Sequence, residues 1–173
     1  LNTLGFHEIM SNSLTKASYV SLSENLDASH NVAMLNPLST DLGAMRQSLL
    51  FSGLESVAYN INRKNTSLQF FELGKTYHKY EEAYEEFKHL SLFVSGQRTK
   101  DSWLLEGKST DLFYAKGVVS SLLERLGTSK LKTAPTKMDV FSEGLSLSLG
   151  KMKLVDLGIV KSNILKNFGI KQE

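Results

Sequence analysis

The four histidines are the side chains of this sequence best suited to metal binding or to acid–base chemistry. They are His7, His30, His78 and His89. None forms an i, i+4 pair or an HExxH motif, the arrangements that place two imidazoles around zinc on one face of a helix. The spacing favours isolated surface or structural histidines over a metal site by roughly ten to one. We therefore predict no metal ligands in this chain.

Motifs for nucleophilic catalysis and for phosphate binding are missing from the sequence. No serine stands in a GxSxG elbow, and Ser52-Gly53 falls within a helical pattern. The twelve glycines are dispersed, without GxGxxG or GxxxxGK[ST]. There is no cysteine, which removes disulfides, thiolate nucleophiles and cysteine-ligated zinc. We predict no catalytic residue and no cofactor-binding residue.

An acidic cluster offers oxygen ligands for a divalent ion. It consists of Glu81, Glu82, Glu85 and Glu86. A solvated loop is the favoured interpretation, by about five to one, because a run of carboxylates is usually a hydrated surface.

Aromatic residues at strand spacing could stack on nucleic acid bases if an open sheet face presented them. These residues are Phe70, Phe71, Tyr77, Tyr80 and Phe93. A core position is favoured about four to one, because no basic stripe accompanies them. An independent RNA-binding module that uses these rings with Lys75, Lys79 and Arg98 is the alternative function.

Composition limits the classes of protein to which the chain could belong. With 173 residues, 41% hydrophobic and 22% charged, it fits one globular domain over residues 1–173. A net charge of +2 with dispersed lysine and arginine does not predict strong RNA binding. No apolar run approaches the roughly 20 residues of a membrane span, and the first residues do not resemble a signal peptide. The start at Leu1 suggests a piece cut from a longer polypeptide.

The elements that must position these residues follow from periodicity. Apolar residues at helical spacing predict a long helix over residues 45–63, in which Gly53 suggests close approach by a neighbour. Asp111 is the expected N-cap of a second helix that stops at Gly127. Ser162 is the expected N-cap of a short helix that ends at Gly169. Predicted strands, including a hairpin around residues 150–151, span residues 6–14, 32–35, 68–80, 90–96, 141–149 and 153–160. The irregular order indicates an α+β fold with an antiparallel or mixed sheet and helices packed on it.

Several motifs occur in one order along the chain. They are NPLS at 36–39, MRQSLL at 45–50, NINR at 60–63, FFELGKTY at 70–77, DLFYAKG at 111–117 and GIVKSNILKNFGI at 158–170. In this order they resemble the bacterial phenylalanine–tRNA ligase beta subunit, over nearly the whole chain. The resemblance implies a class II aminoacyl-tRNA synthetase-like core, in which an antiparallel sheet is flanked by helices.

The resemblance also implies that this core does no chemistry. A working motif 2 carries an arginine just after its first strand, which grips the ATP phosphate, but the corresponding stretch here reads Tyr77-His78-Lys79. A working motif 3 supplies another arginine from a GxGxxR pattern, which residues 158–173 lack. The whole enzyme is expected to use ATP and magnesium, whereas no cofactor is expected in this fragment.

The expected role is that of a cytoplasmic scaffold within a heterotetramer. The module would dock the alpha subunit of phenylalanine–tRNA ligase, tRNA would be a partner of the whole enzyme, and no membrane would be involved. The candidate interface residues are Asn36, Pro37, Arg46 and Arg63. For the apolar residues of the long helix, packing in the domain's own core is favoured by about two to one.

Overall fold

Within residues 1–81, 83–99, 102–104, 106–128 and 130–171, which the computed structural model describes, the chain forms three α-helices and eleven strands. The helices are α1 (Leu50–Ile61), α2 (Leu112–Arg125) and α3 (Ser162–Asn167). The strands are β1 (His7–Glu8), β2 (Leu14–Thr15), β3 (Val32–Ala33), β4 (Ala44–Met45), β5 (Leu68–Tyr80), β6 (Ala83–Ser95), β7 (Gln97–Thr99), β8 (Lys108–Ser109), β9 (Lys132–Pro135), β10 (Phe141–Leu149) and β11 (Met152–Val160). Short 3-10 helices span Asn2–Leu4, Ala17–Leu22, Ala28–His30 and Thr40–Leu42.

The β5–β6 hairpin is the dominant element of the fold. Each strand has 13 residues, and they pair antiparallel without a break from Leu68 opposite Ser95 to Tyr80 opposite Ala83. Strand β1 pairs parallel with β5, so this sheet has the order β1-β5-β6. The other sheets have the orders β11-β10-β9, β2-β4-β3 and β7-β8. The architecture is α+β, as predicted from the order of elements.

The two long helices cover opposite faces of the hairpin. Phe70 and Phe93 share one core cluster with Leu54 and Val57 of α1. Phe71, one residue further along β5, packs on the other face in a second cluster with Val118 of α2. This period-2 division follows from the alternation of side chains along a strand. A third cluster joins α2 to β10 and β11.

Several sequence predictions are confirmed by these elements. Strand β5 has the predicted bounds, and the hairpin of β10 and β11 turns at Gly150, whose φ is 62°. The carboxylate of Asp111 accepts a 2.6 Å hydrogen bond from the main-chain N–H of Tyr114 and so caps α2. A Cβ at Gly53 would collide with the ring of Phe93, which explains the glycine inside α1. The core assignment of the α1 residues also holds, since Leu54 and Val57 are buried.

Other predictions were wrong in their boundaries. The first helix begins at Leu50 rather than Met45, because the main chain at 44–46 pairs with neighbouring segments; Arg46 N donates to Ser13 O at 2.9 Å. The predicted strand over 6–14 is reduced to β1 and the start of β2. Ser162 is the first residue of α3 and not its cap.

The acidic segment before residue 90 was predicted to be a loop and is instead part of β6. Residues 83–89 each face a partner on β5, and the backbone pairing outweighs the weak strand propensity of glutamate. Glu82 lies outside the described residues, as do residues 172–173 of the segment compared with motif 3. Among the helices of the described ranges, none has the length and apolarity needed to cross a membrane.

Candidate functional site

Asn36 and Pro37 lie in the loop that joins β3 to β4, here called the leucine loop (residues 34–43). The leucines on either side of the Asn-Pro pair, Leu35 and Leu38, are 97% and 94% exposed. A 2.9 Å hydrogen bond from Met34 N to Gly43 O closes the base of the loop. The loop therefore holds two almost fully exposed leucines on either side of the candidate interface residues Asn36 and Pro37.

Arg63 lies just beyond the C-terminal end of α1 and is exposed. Its guanidinium carbon is 3.4 Å from the centroid of the Tyr59 ring, and Nη1 donates to Tyr59 O at 3.1 Å. The cation–π contact fixes the direction of the side chain while the group stays at the surface. Arg63 is thus placed where a polar partner could reach it.

Arg46 lies inside the domain, with only 4% of its side chain exposed. Its Nη1 donates to Glu72 Oε1 at 2.7 Å and to Ser52 Oγ at 3.3 Å, and its Nε donates to Lys75 O at 3.0 Å. Glu72, which is 1% exposed, also accepts a 2.9 Å hydrogen bond from Ser11 Oγ. The arginine has no surface to offer directly to another protein in this conformation. Its effect on any interface would run through the segments that it joins.

The structure therefore separates the four candidate interface residues. Asn36 and Pro37 share the leucine loop, whereas Arg46 precedes α1 and Arg63 follows it. The sequence did not predict the buried ion pair of Arg46, because its partners are 26 positions apart and local patterns do not show such a contact.

Three of the four histidines lie close together near the turn of the β5–β6 hairpin. His78 and His89 are on the hairpin itself, and His30 packs against it from a 3-10 helix. Alternation along the strands places on one face, here called the α1-side face, Leu68, Phe70, Glu72, Gly74, Thr76, His78 and Tyr80 with their partners Ser95, Phe93, Ser91, His89, Phe87, Glu85 and Ala83. Thr76 Oγ1 lies 3.0 Å from His89 Nε2 and 3.3 Å from His78 Nε2. The His30 ring packs against Tyr80, with 4.5 Å between centroids. None of the residues of this face is lysine or arginine.

The imidazoles of His78 and His89 favour the neutral form, because their pKa values are lowered. Partial burial lowers the pKa of His78, and the neighbouring His30 and His89 lower it further. Partial desolvation of its ring lowers the pKa of His89 as well, although the residue keeps an exposed surface. Because Thr76 Oγ1 lies within hydrogen-bond distance of both Nε2 atoms, and a neutral imidazole can donate or accept there, the group is a polar network that suits neutral rings.

The spacing of these histidines in the sequence predicted isolated side chains. Carrying the period-2 pattern of β6 back to residue 83 would have placed Thr76 opposite Phe87 and brought the histidines to one face. Within the described residues, no group of three or more histidine, aspartate or glutamate side chains could hold a metal ion. Glu85 and Glu86 of the acidic cluster point to opposite faces of the hairpin.

The aromatic residues considered for base stacking are mostly inside the domain. Phe70, Phe71 and Phe93 are buried in the core clusters, and Tyr80 is 37% exposed. Tyr77 is half-buried, with its hydroxyl 3.4 Å from Ser13 Oγ. Most of these rings cannot reach a base without unfolding.

Comparisons with known proteins agree over nearly the whole chain. The family model described as the phenylalanyl tRNA synthetase beta chain CLM domain matches residues 1–173. A phenylalanine–tRNA ligase beta subunit of Bacteroides thetaiotaomicron is 40% identical over 181 residues, which cover 98% of this chain and 22% of that protein. The Porphyromonas gingivalis subunit is 36% identical over 182 residues, covering 97% of this chain and 22% of the relative. The chain thus spans about a fifth of the length of such relatives.

Solved structures place the fold among class II tRNA synthetases. A pyrrolysyl tRNA synthetase of Desulfitobacterium hafniense superimposes with a TM-score of 0.68, covering 98% of this chain and 58% of that one. The sequences are 16% identical, so this likeness concerns the fold alone.

Proposed function

This chain belongs to the phenylalanyl tRNA synthetase beta chain family, and from that premise we propose that residues 1–173 form a non-catalytic core module of a phenylalanine–tRNA ligase beta subunit. The module supports the alpha subunit and the assembly of a cytoplasmic heterotetramer. The whole enzyme attaches phenylalanine to its tRNA with ATP and magnesium, while this module holds neither.

The observation that carries the proposal is the charge of the α1-side face of the hairpin. Adenylate formation needs cations on the ATP phosphates, and motif 2 of a working class II site supplies an arginine from the end of its first strand. Here His78 occupies that stretch, with a lowered pKa, on a face without lysine or arginine. Arg46 lies next to this face, but Glu72 neutralises it and both are buried. From the described residues of this face, a triphosphate would meet no free positive charge.

The leucine loop is the proposed contact with the alpha subunit. Leu35 and Leu38 are almost wholly exposed, and covering both would remove apolar surface worth on the order of 3 kcal/mol from water. Asn36 and Pro37 lie between these two leucines, where the proline ring restricts the main chain, and Arg63 offers an oriented cation at the end of α1. Arg46 supports the contact from inside by holding the start of α1 on β5.

Two titrations test the proposal. The chain is titrated by calorimetry with ATP and with phenylalanine in the presence of magnesium, and no heat of binding is expected. It is then titrated with the alpha subunit of a phenylalanine–tRNA ligase from the same source, and saturable one-to-one binding is expected. Binding of ATP would contradict the non-catalytic role, whereas failure to bind a folded alpha subunit would contradict the docking role.

A further inference from the structure

Strand β6 forms one edge of its sheet, and much of that edge is uncovered. It pairs only with β5 among the described strands, and all residues from Ala83 to Leu90 are exposed. The strand contains neither proline nor glycine, the usual interruptions of a free edge. A long, regular and unpaired edge is a ready template for another strand.

Hydrogen bonds on the far side of β5 show which main-chain groups face this edge. Phe71 O accepts from Ile9 N at 2.8 Å, and Tyr77 N donates to Arg46 O at 2.9 Å. Lys75 O accepts from Arg46 Nε at 3.0 Å. The odd-numbered residues of β5 therefore turn their main-chain groups away from β6.

In an antiparallel ladder the residues opposite these also turn their main-chain groups outward. Glu86 is opposite Tyr77 and Lys88 is opposite Lys75. By the same alternation Tyr84 and Leu90 present their N–H and C=O groups to the open edge. The intervening residue Phe87 directs its own groups to β5.

We propose that this edge pairs antiparallel with β6 of a second copy of the chain, with a two-fold axis at Phe87. In this register Glu86 of each copy faces Lys88 of the other, and Tyr84 faces Leu90. These are the residues with outward main-chain groups, so the hydrogen-bond pattern permits this register. Two Phe87 rings meet at the axis as a non-hydrogen-bonded pair, the closer kind of cross-strand contact.

Charge complementarity selects a second copy of this chain as the occupant. A shift of the axis by one residue toward the N-terminus would place Glu86 opposite Glu86, and a shift the other way would place Lys88 opposite Lys88. Only the register centred on Phe87 pairs unlike charges in this neighbourhood, and it does so twice by symmetry. The lysine that would normally discourage edge pairing is thus matched by the glutamate two residues before it.

The test uses sedimentation velocity of the chain over a concentration series, with charge-reversal variants. The parent chain is expected to show a monomer–dimer equilibrium. Glu86→Lys and Lys88→Glu, each alone, place like charges opposite each other at both symmetric pairs and should raise the dimer Kd by about tenfold or more. The double variant Glu86→Lys/Lys88→Glu restores the pairs and should return to the parent Kd.

A mixture of the two single variants provides the most stringent test of the proposed register. One copy then carries two lysines at these positions and the other two glutamates, so a heterodimer with parent-like affinity is expected. Circular dichroism of each variant checks that the hairpin still folds, since Glu86 also pairs with Lys75 within one chain. A parent that stays monomeric, or a dimer that neither reversal weakens, overturns the proposal.

Hydrogen exchange gives an independent readout of the register. Dimerisation should slow exchange of the amides of Tyr84, Glu86, Lys88 and Leu90, while that of Phe87, already bonded to β5, should hardly change. Protection of all residues of β6 alike, or of another surface instead, would contradict the proposed pairing.

Discussion

Replacement of Arg46 by methionine probes the buried ion pair that joins the segment before α1 to the hairpin. The substitution keeps the length of the side chain but removes the donor 2.7 Å from Glu72 Oε1 and those to Ser52 and Lys75 O. Glu72, at 1% exposure, is then left with hydrogen bonds from Ser11 alone. Breaking one side of a buried pair in this way costs about 3–5 kcal/mol. That is a large part of the roughly 5–15 kcal/mol by which a domain is stable.

Removal of both charges should lower the free energy of unfolding by much less than the sum of the losses caused by the two single changes. In Arg46→Met/Glu72→Leu no charge is buried, and apolar side chains fill the space. The coupling free energy between the two sites is therefore expected to be at least about 2 kcal/mol. Urea unfolding of the parent, both single variants and the double variant measures it.

The control is a surface pair of the same kind. Lys16 and Asp41 are 3.6 Å apart with 41% and 66% of their side chains exposed, so Asp41→Asn should change the free energy of unfolding by less than about 1 kcal/mol. Additive effects of the changes at Arg46 and Glu72, or a cost for Arg46→Met no larger than for Asp41→Asn, would refute the assignment of the pair as the tie between the segment before α1 and β5.

Three further predictions concern packing and pH. Gly53→Ala, despite the better helix propensity of alanine, should destabilise the chain by about 1–3 kcal/mol in urea, because the new methyl group meets the ring of Phe93. In the folded chain the pKa values of His78 and His89 lie below the ordinary histidine value of 6.5. Below pH 6.5 the unfolded chain therefore binds more protons than the folded chain, and the free energy of unfolding should fall as the pH drops. A His78→Gln/His89→Gln variant should show a flatter profile of unfolding free energy there, and an unchanged slope would contradict the lowered pKa values of the two rings. Burial would raise the pKa of Asp156, but hydrogen bonds from neighbouring side chains outweigh it and lower the pKa, so stability present above pH 3.8 is lost at lower pH; acid unfolding of Asp156→Asn should lack this component.

Local signals in the sequence were enough to predict the elements whose ends are set by single residues. Asp111 caps α2 with its own carboxylate, and Gly150 turns the hairpin of β10 and β11 with a positive φ. The bounds of β5 follow from its richness in aromatic residues. Such features depend on residues close in sequence, so a pattern can show them.

Contacts between residues that are distant in sequence determine the features that the sequence did not predict. The start of α1 is displaced from Met45 to Leu50 because Arg46 belongs to a network with β5 and with Ser13. Residues 83–89 become a strand because β5 offers them a partner along its full length. The same limit holds for the candidate site, since neither the exposure of Leu35 nor the burial of Arg46 can be read from spacing.

The most direct test of the scaffold role is binding of the alpha subunit by chains altered in the leucine loop. Leu35→Ser/Leu38→Ser removes the exposed apolar pair, and Leu126→Ser, at a leucine 71% exposed after the end of α2, serves as the matched control. Titration of a fluorescently labelled alpha subunit with each folded chain gives the three Kd values. The account predicts parent-like binding for Leu126→Ser and at least about tenfold weaker binding for the loop variant. Equal affinities for all three chains, or no binding by the parent, would contradict it.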